Sequence, residues 1–335
     1  MPIPDLKDII ELCTDGDELI IVDGGSRNFN YDLTVMGIKD LVKYSAIYGF
    51  EPSPQSHDSV PNIEDEVDKN RPPSRNQVIN YPFALANVDG EVILHLSLHP
   101  GASSTLPPNA ELLGHFRKDK WSGMVEIVDS ISVPSIRLDT FVQKAALPRI
   151  DFLKLDTQGN ELDILQSAGD FIKKIGVIKT ELNFLELYLN QPLAHDVMKF
   201  LHSLGFALID LTWSEPCRRF QARPDLKSDS YRLVWGDGIF AQTPHDFKKP
   251  HLLKQALILG KLGYRDLAIY QVQNHPGLKP EATKMLEDYF FALEYQEDIT
   301  PIRQSLRRLR YWFWMKTGFW VERKPRRYVA EKAAK

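Results

Sequence analysis

Along the chain, short apolar runs that end in an acid alternate with stretches in which apolar residues recur every three or four positions. "ELIIVD" (18–23) is the first such run, a buried strand closing on Asp23 and followed by the turn-prone "GGSRNFN". "YSAIYGFEPSP" (44–54) repeats the design: Ala46, Ile47, Tyr48 and Phe50 make the strand, Glu51 ends it and Pro52 stops it. In "DFLKLDTQGNELDIL" (151–165), Phe152, Leu153 and Leu155 suit a strand, while Leu162, Ile164, Leu165 and then Ala168 recur at helical spacing. Asp156, Gln158, Gly159, Asn160 and Glu161 crowd the short turn between them. "IGVIKTELN" (175–183) is one more apolar strand, with Glu181 near its end.

The remaining pattern fills in an alternating order. "QVINYPFALANVDGEVILHLSL" reads as a strand, a turn at "NVDG" and a second strand, a hairpin-like segment. Residues 53–76 carry Pro54, Pro61, Pro72 and Pro73 among many charges and predict an irregular excursion, and "HPGASSTLPPN" (99–109) predicts a loop. A strand in the segment from Val125, a short helix near 139–146, a helix over 193–204, and strands at "FALIDLTW" (206–213) and "YRLVWGDGIFAQ" (231–242) follow. Strands alternating with helices predict an α/β domain with a mostly parallel sheet over residues 1–243. Pro244 and Pro250 mark a boundary, beyond which the helical periodicity of 251–273 and 281–296 predicts a helical appendage over 244–302.

Composition bounds the class. At 335 residues, 43% hydrophobic and 26% charged, the chain has the make-up of a soluble globular protein with a sizeable core. No run of ~18 apolar residues occurs, and the first residues have neither a basic start nor an unbroken apolar stretch, so neither a transmembrane helix nor a signal peptide is expected and the cytoplasm is the default compartment. Cys13 and Cys217 are far apart and lack a CxxC spacing, which argues against a disulfide framework or a zinc site. The net charge of −4 is unevenly spread: Arg303 to Lys335 holds eleven Lys or Arg against two Glu, a balance of +9, so the rest sums to −13. This basic tail, 303–335, interleaves Tyr311, Trp312, Phe313, Trp314, Phe319 and Trp320 with its charges over 303–329. That pattern fits a packing helix with a solvated basic end, or a peripheral anchor on an anionic membrane. The −13 balance elsewhere opposes a broad nucleic-acid surface.

Acids at the carboxyl ends of parallel strands carry the chemistry. Such a carboxylate can accept two hydrogen bonds from a ribose diol, and Gly24 and Gly25, lacking Cβ atoms, let backbone approach a ligand closely. Glu51, roughly thirty residues after Asp23 at the next strand end, strengthens a nucleoside-binding reading. Asp156, Glu181 and Asn183 form an oxygen set that would suit Mg²⁺. His99 and His57 lie in loops as alternative bases. Lys154 alternates with Asp156, which places both on one face in a site-facing or paired role, whereas Glu161 reads as a first-turn acid favoured by the helix dipole.

The order of "IIVDGGSRNF", "GFEPSP", "FALANVDGEVILHLSLHPGASS", "VPSIRLDTF", "IDFLKLDTQGNELDILQSAG" and "RLVWGDGIF" resembles the FkbM family of S-adenosylmethionine-dependent methyltransferases over about residues 18–242. The resemblance implies a class I, Rossmann-like fold and O-methylation of sugar or polyketide hydroxyls. It also implies that Asp23, with Gly24 and Gly25 beside it, lines the methionine end of the cofactor, and that Glu51 takes the ribose hydroxyls. Asn87 or Asp89 would lie near the adenine, and Asp156 would face both the sulfonium and the acceptor. The chain departs from the family pattern at Asn28 and Phe29 and in its proline-rich 53–76 segment. Two other classes compete. A nicotinamide-dependent oxidoreductase shares the strand-end acid but lacks its G-x-G-x-x-G here, and a non-catalytic binding module on the same fold is the third reading.

Overall fold

The computed structural model describes residues 4–26, 38–53, 77–115, 125–212, 233–242 and 251–296. Asn28, Phe29, His57, nearly all of the 53–76 segment and the 303–329 tail lie outside the described residues. Ten strands are present among them: β1 (Leu19–Gly24), β2 (Ser45–Phe50), β3 (Gln77–Tyr81), β4 (Ala84–Ala86), β5 (Gly90–Ser97), β6 (Ile127–Arg137), β7 (Ile150–Leu155), β8 (Ile175–Asn183), β9 (Phe206–Thr212) and β10 (Trp235–Gln242).

Seven strands form one sheet in the order β3-β2-β1-β7-β8-β10-β9. Its pairings are parallel except around β10, which runs antiparallel to β8 and β9. β1, β2 and β7 are buried along their whole length, because helices cover both faces and alternate side chains enter opposite cores. Ile20, Val22, Leu153, Leu155 and Ile178 join the helices Leu138–Lys144, Glu161–Ser167 and Ala194–Ser203 on one face. Leu19, Ile21, Phe152, Val177 and Ile239 join Leu6–Thr14, Leu252–Lys261, Arg265–Gln273 and Pro280–Gln296 on the other. Each fully buried Leu, Ile or Phe contributes roughly 1.5–3 kcal/mol relative to exposure. The helical pattern of 251–273 resolves into two helices, and the left-handed backbone of Gly263, φ 103°, follows the first.

A second sheet, in the order β4-β6-β5, corrects the hairpin expected at "NVDG". β4 and β5 do not pair with each other. β6 lies between them, parallel to β4 and antiparallel to β5, and Ser135 faces both Ala84 and Gly90. The turn signal is real, but the long-range strand β6 takes the hydrogen bonds a hairpin would have made.

Strand order along the main sheet reverses between β1 and β7. Ligands of open α/β sheets bind at such a switch point, beyond the carboxyl ends of the strands.

Candidate functional site

Backbone hydrogen bonds lace the strand ends together at this switch point. Gly25 and Ser26 N–H donate to the Phe50 carbonyl, and Asp156 N–H donates to the Gly24 carbonyl at 3.0 Å. Gly25 has φ 85°, and a Cβ there would collide with the Asp156 carbonyl, so the close approach of the β1 and β7 turns requires glycine. Above the strand ends opens a cleft of about 150 Å³. Gly25, Glu51 and Asp156, from the ends of β1, β2 and β7, share its wall with Phe50, Leu85, Thr157, Gln158 and Asn160. The segment 100–105 supplies Pro100, Gly101, Ser103, Ser104 and Thr105 to the same wall.

The turn after β7 is held in an uncommon conformation. Gln158, φ 60°, and Gly159, φ 108°, both lie in the left-handed region, unfavourable for glutamine and sustained by its surroundings. Ser104 Oγ donates to the Gln158 carbonyl at 2.7 Å. Gln158 Nε2 donates both to Asp156 Oδ1, 2.8 Å, and to Glu181 Oε2, 2.9 Å. The Tyr188 hydroxyl lies 2.9 Å from the Ala102 carbonyl and 3.2 Å from Gln158 Oε1. One amide therefore ties the acids of β7 and β8 to the segment over the cleft.

Glu161 does not sit on a solvated helix face. Its carboxylate folds back and accepts from Thr157 N–H, 2.8 Å, Thr157 Oγ1, 3.1 Å, and Gly159 N–H, 3.0 Å. Those donors favour the anion, but burial outweighs them and pushes the carboxyl up to about 7. Glu181 is raised well above the ordinary glutamate range, first by burial and then by Asp156, Glu161 and Asp237. Burial, followed by Glu181, likewise raises the Tyr188 hydroxyl.

The other residues singled out in the sequence are placed as follows. Asp23 is buried at the end of β1 and forms an ion pair with Lys154 Nζ at 3.0 Å, each side chain 3% exposed, so of the site-facing and paired roles open to that lysine the fold gives it the paired one. Gly24 closes β1 where a Cβ would meet the side chains of Leu155, Leu85 and Thr157. Glu51 Oε1 accepts from Ser53 N–H at 2.9 Å. Asn87 and Asp89 lie in the β4–β5 turn and are not among the residues lining the cleft. There the "RLDTF" segment secures them. Arg137 donates to the Asn87 carbonyl and pairs with Asp139, while Asp89 accepts from Arg137 N–H and Thr140 Oγ1. Asn87 Nδ2 donates to Asp163.

His99 is exposed, next to the cleft-lining Pro100 but not itself on the wall. Asn183, at the end of β8, is buried, and its Oδ1 has no hydrogen-bond partner among the described residues. The oxygens of Asp156 and Glu181 converge on the Gln158 amide. No group of three or more His, Cys, Asp or Glu is placed to hold a metal ion among the described residues. Also among them, no helix is long and apolar enough to cross a membrane. Gln158, Ser104 and Tyr188 are the contributors sequence reasoning did not assign; only Gln158, inside the polar turn, gave a local signal.

No curated protein and no solved structure matches the chain. The Methyltransferase FkbM domain matches residues 23–208, more than half of the 335 residues, and this span includes every strand end that forms the cleft. The strand order, with its one antiparallel strand beside the edge, fits the class I methyltransferase fold. With β1, β2 and β7 presenting Gly25, Glu51 and Asp156 to one cleft inside the matched span, the chain belongs to the FkbM methyltransferase family.

Proposed function

We propose that the protein is an S-adenosylmethionine-dependent O-methyltransferase acting on a hydroxyl of a sugar, glycan or related natural product. The observation that carries this reading is the convergence of Gly25, Glu51 and Asp156 on one cleft at the switch point of the sheet. The residues present suit the cofactor. Gly25 lets backbone close in where a Cβ would collide, and Glu51, at the end of β2, is a carboxylate of the type that takes a ribose diol. Bound S-adenosylmethionine supplies a methyl group already activated by a positive sulfonium.

The chain then has to orient the acceptor hydroxyl and take its proton. Asp156 is the side chain on the wall suited to that proton, and Gln158 Nε2 fixes its carboxylate. Ser103, Ser104, Thr105 and Asn160 line the same cleft with neutral hydrogen-bonding groups suited to a polyhydroxylated acceptor.

Calorimetric titration with S-adenosylmethionine and S-adenosylhomocysteine tests the cofactor. Glu51→Ala should weaken binding by about one to two decades, the loss of a charged hydrogen-bond acceptor worth roughly 1.5–3 kcal/mol. Unchanged affinity in a folded variant removes the ribose assignment. Asp156→Asn should still bind the product while transfer of labelled methyl to glycan acceptors collapses. The basic aromatic tail would bring the enzyme to lipid-borne acceptors; co-sedimentation with anionic vesicles should then be salt-sensitive and lost on deleting 303–335, and equal sedimentation of both forms rules the anchor out.

A further inference from the structure

The charge of the cleft wall has one sign among the described residues. Glu51 and Asp156 line it, and no Lys, Arg or His does. The lysines on neighbouring strands are committed elsewhere: Lys154 to Asp23 and Lys179 to Asp237, each at 3.0 Å. Asp156 is instead held by the neutral Gln158 amide and by a side-chain hydrogen bond with Glu181, and both Glu181 and Glu161 behind it are buried. A carboxylate satisfied by a neutral donor in a half-buried site keeps its field in the cleft, where low dielectric strengthens it.

The reaction itself changes charge at this point. Methyl transfer breaks the bond between sulfur and the methyl carbon, leaves the electron pair on sulfur and forms the new carbon–oxygen bond as the hydroxyl proton passes to a base. The sulfonium cation becomes a neutral thioether.

We propose that Asp156 is a specificity-determining residue that lets the cleft distinguish methyl donor from spent product by charge, so that S-adenosylmethionine binds more tightly than S-adenosylhomocysteine. The inference rests on the cofactor reading given under Proposed function. Its consequence is that turnover weakens the enzyme's hold on its own product, with no movement of the chain required.

The test is calorimetric titration of the full-length protein and its variants with both compounds near neutral pH. The wild type should bind S-adenosylmethionine about tenfold more tightly. Asp156→Asn should bring the two affinities together by weakening only the cationic ligand, and Asp156→Glu should restore the preference. A preference unchanged in folded Asp156→Asn, or a wild type that favours the product, overturns the inference and leaves the cofactor reading intact. A folded wild type that binds neither compound overturns both. Should Asp156→Asn fail to fold, a wild-type comparison of S-adenosylhomocysteine with an analogue bearing an ammonium in place of the methylsulfonium decides the matter, equal affinities overturning the inference.

Discussion

Lys154 and Asp156 stand two positions apart at the end of β7, and the protein treats their charges in opposite ways. Lys154 meets Asp23 directly across the β1–β7 register, 3% exposed, so its charge is cancelled by an opposite one. Asp156 meets the Gln158 amide and the cleft. Inside the sheet a charge is neutralised; one step further out it is oriented and left in force. The first arrangement serves the fold, because an unpartnered charge there costs several kcal/mol, whereas the second can act on a ligand.

The largest effect that probes this contrast is on stability. Lys154→Met leaves the Asp23 carboxylate buried without its lysine and should cost about 3–5 kcal/mol in denaturant unfolding. The double variant Asp23→Leu/Lys154→Met removes both charges and should recover most of that loss. A Lys154→Met protein as stable as wild type but poor in cofactor binding would move the pair from the fold to the site and break the contrast.

Next comes Glu161, the acid at the site's base. Its ordinary value of 4.5 is raised to about 7 in the fold. Between these values the folded protein holds a proton that the unfolded chain has released. Its contribution to stability is therefore complete below about 4.5 and is lost as pH rises to about 7. Glu161→Gln should flatten that part of the stability profile, and an unchanged slope would place the titrating acid elsewhere. The smallest effect is expected from Ser104→Ala, which removes the hydroxyl bond to the Gln158 carbonyl and should cost about 0.5–1.5 kcal/mol. If it weakens neither stability nor cofactor affinity, the segment over the cleft is not held through that bond.

What the sequence revealed and what it hid divide along the same physical line. Strand-end acids followed by turn residues are local signals, and reading them placed Glu51 and Asp156 at the cleft edge. The "NVDG" turn predicts a β4–β5 hairpin locally, whereas the actual pairing with β6 depends on a strand thirty or more residues later. A first-turn glutamate looks the same in sequence whether it faces water or folds back onto Thr157 and Gly159, as Glu161 does. Sequence spacing leaves Lys154 a site-facing or a paired role; only the β1–β7 register, which brings it to Asp23, decides between them. The "RLDTF" segment carried the family resemblance, yet its side chains secure the β4–β5 turn rather than line the cleft.

The distance along the chain between Asp23 and Lys154 also sets an order of events during synthesis. They are 131 residues apart, and at about 5–20 residues per second the ribosome takes roughly 7–26 s to make the intervening chain. For that interval β1 has β2 within reach but lacks the strand that fills its other side, and its aspartate lacks its lysine. The nascent amino-terminal half thus exposes both an open strand edge and a charge whose burial must wait, making β7 the strand that covers the open edge of β1 and carries Asp156 to the cleft.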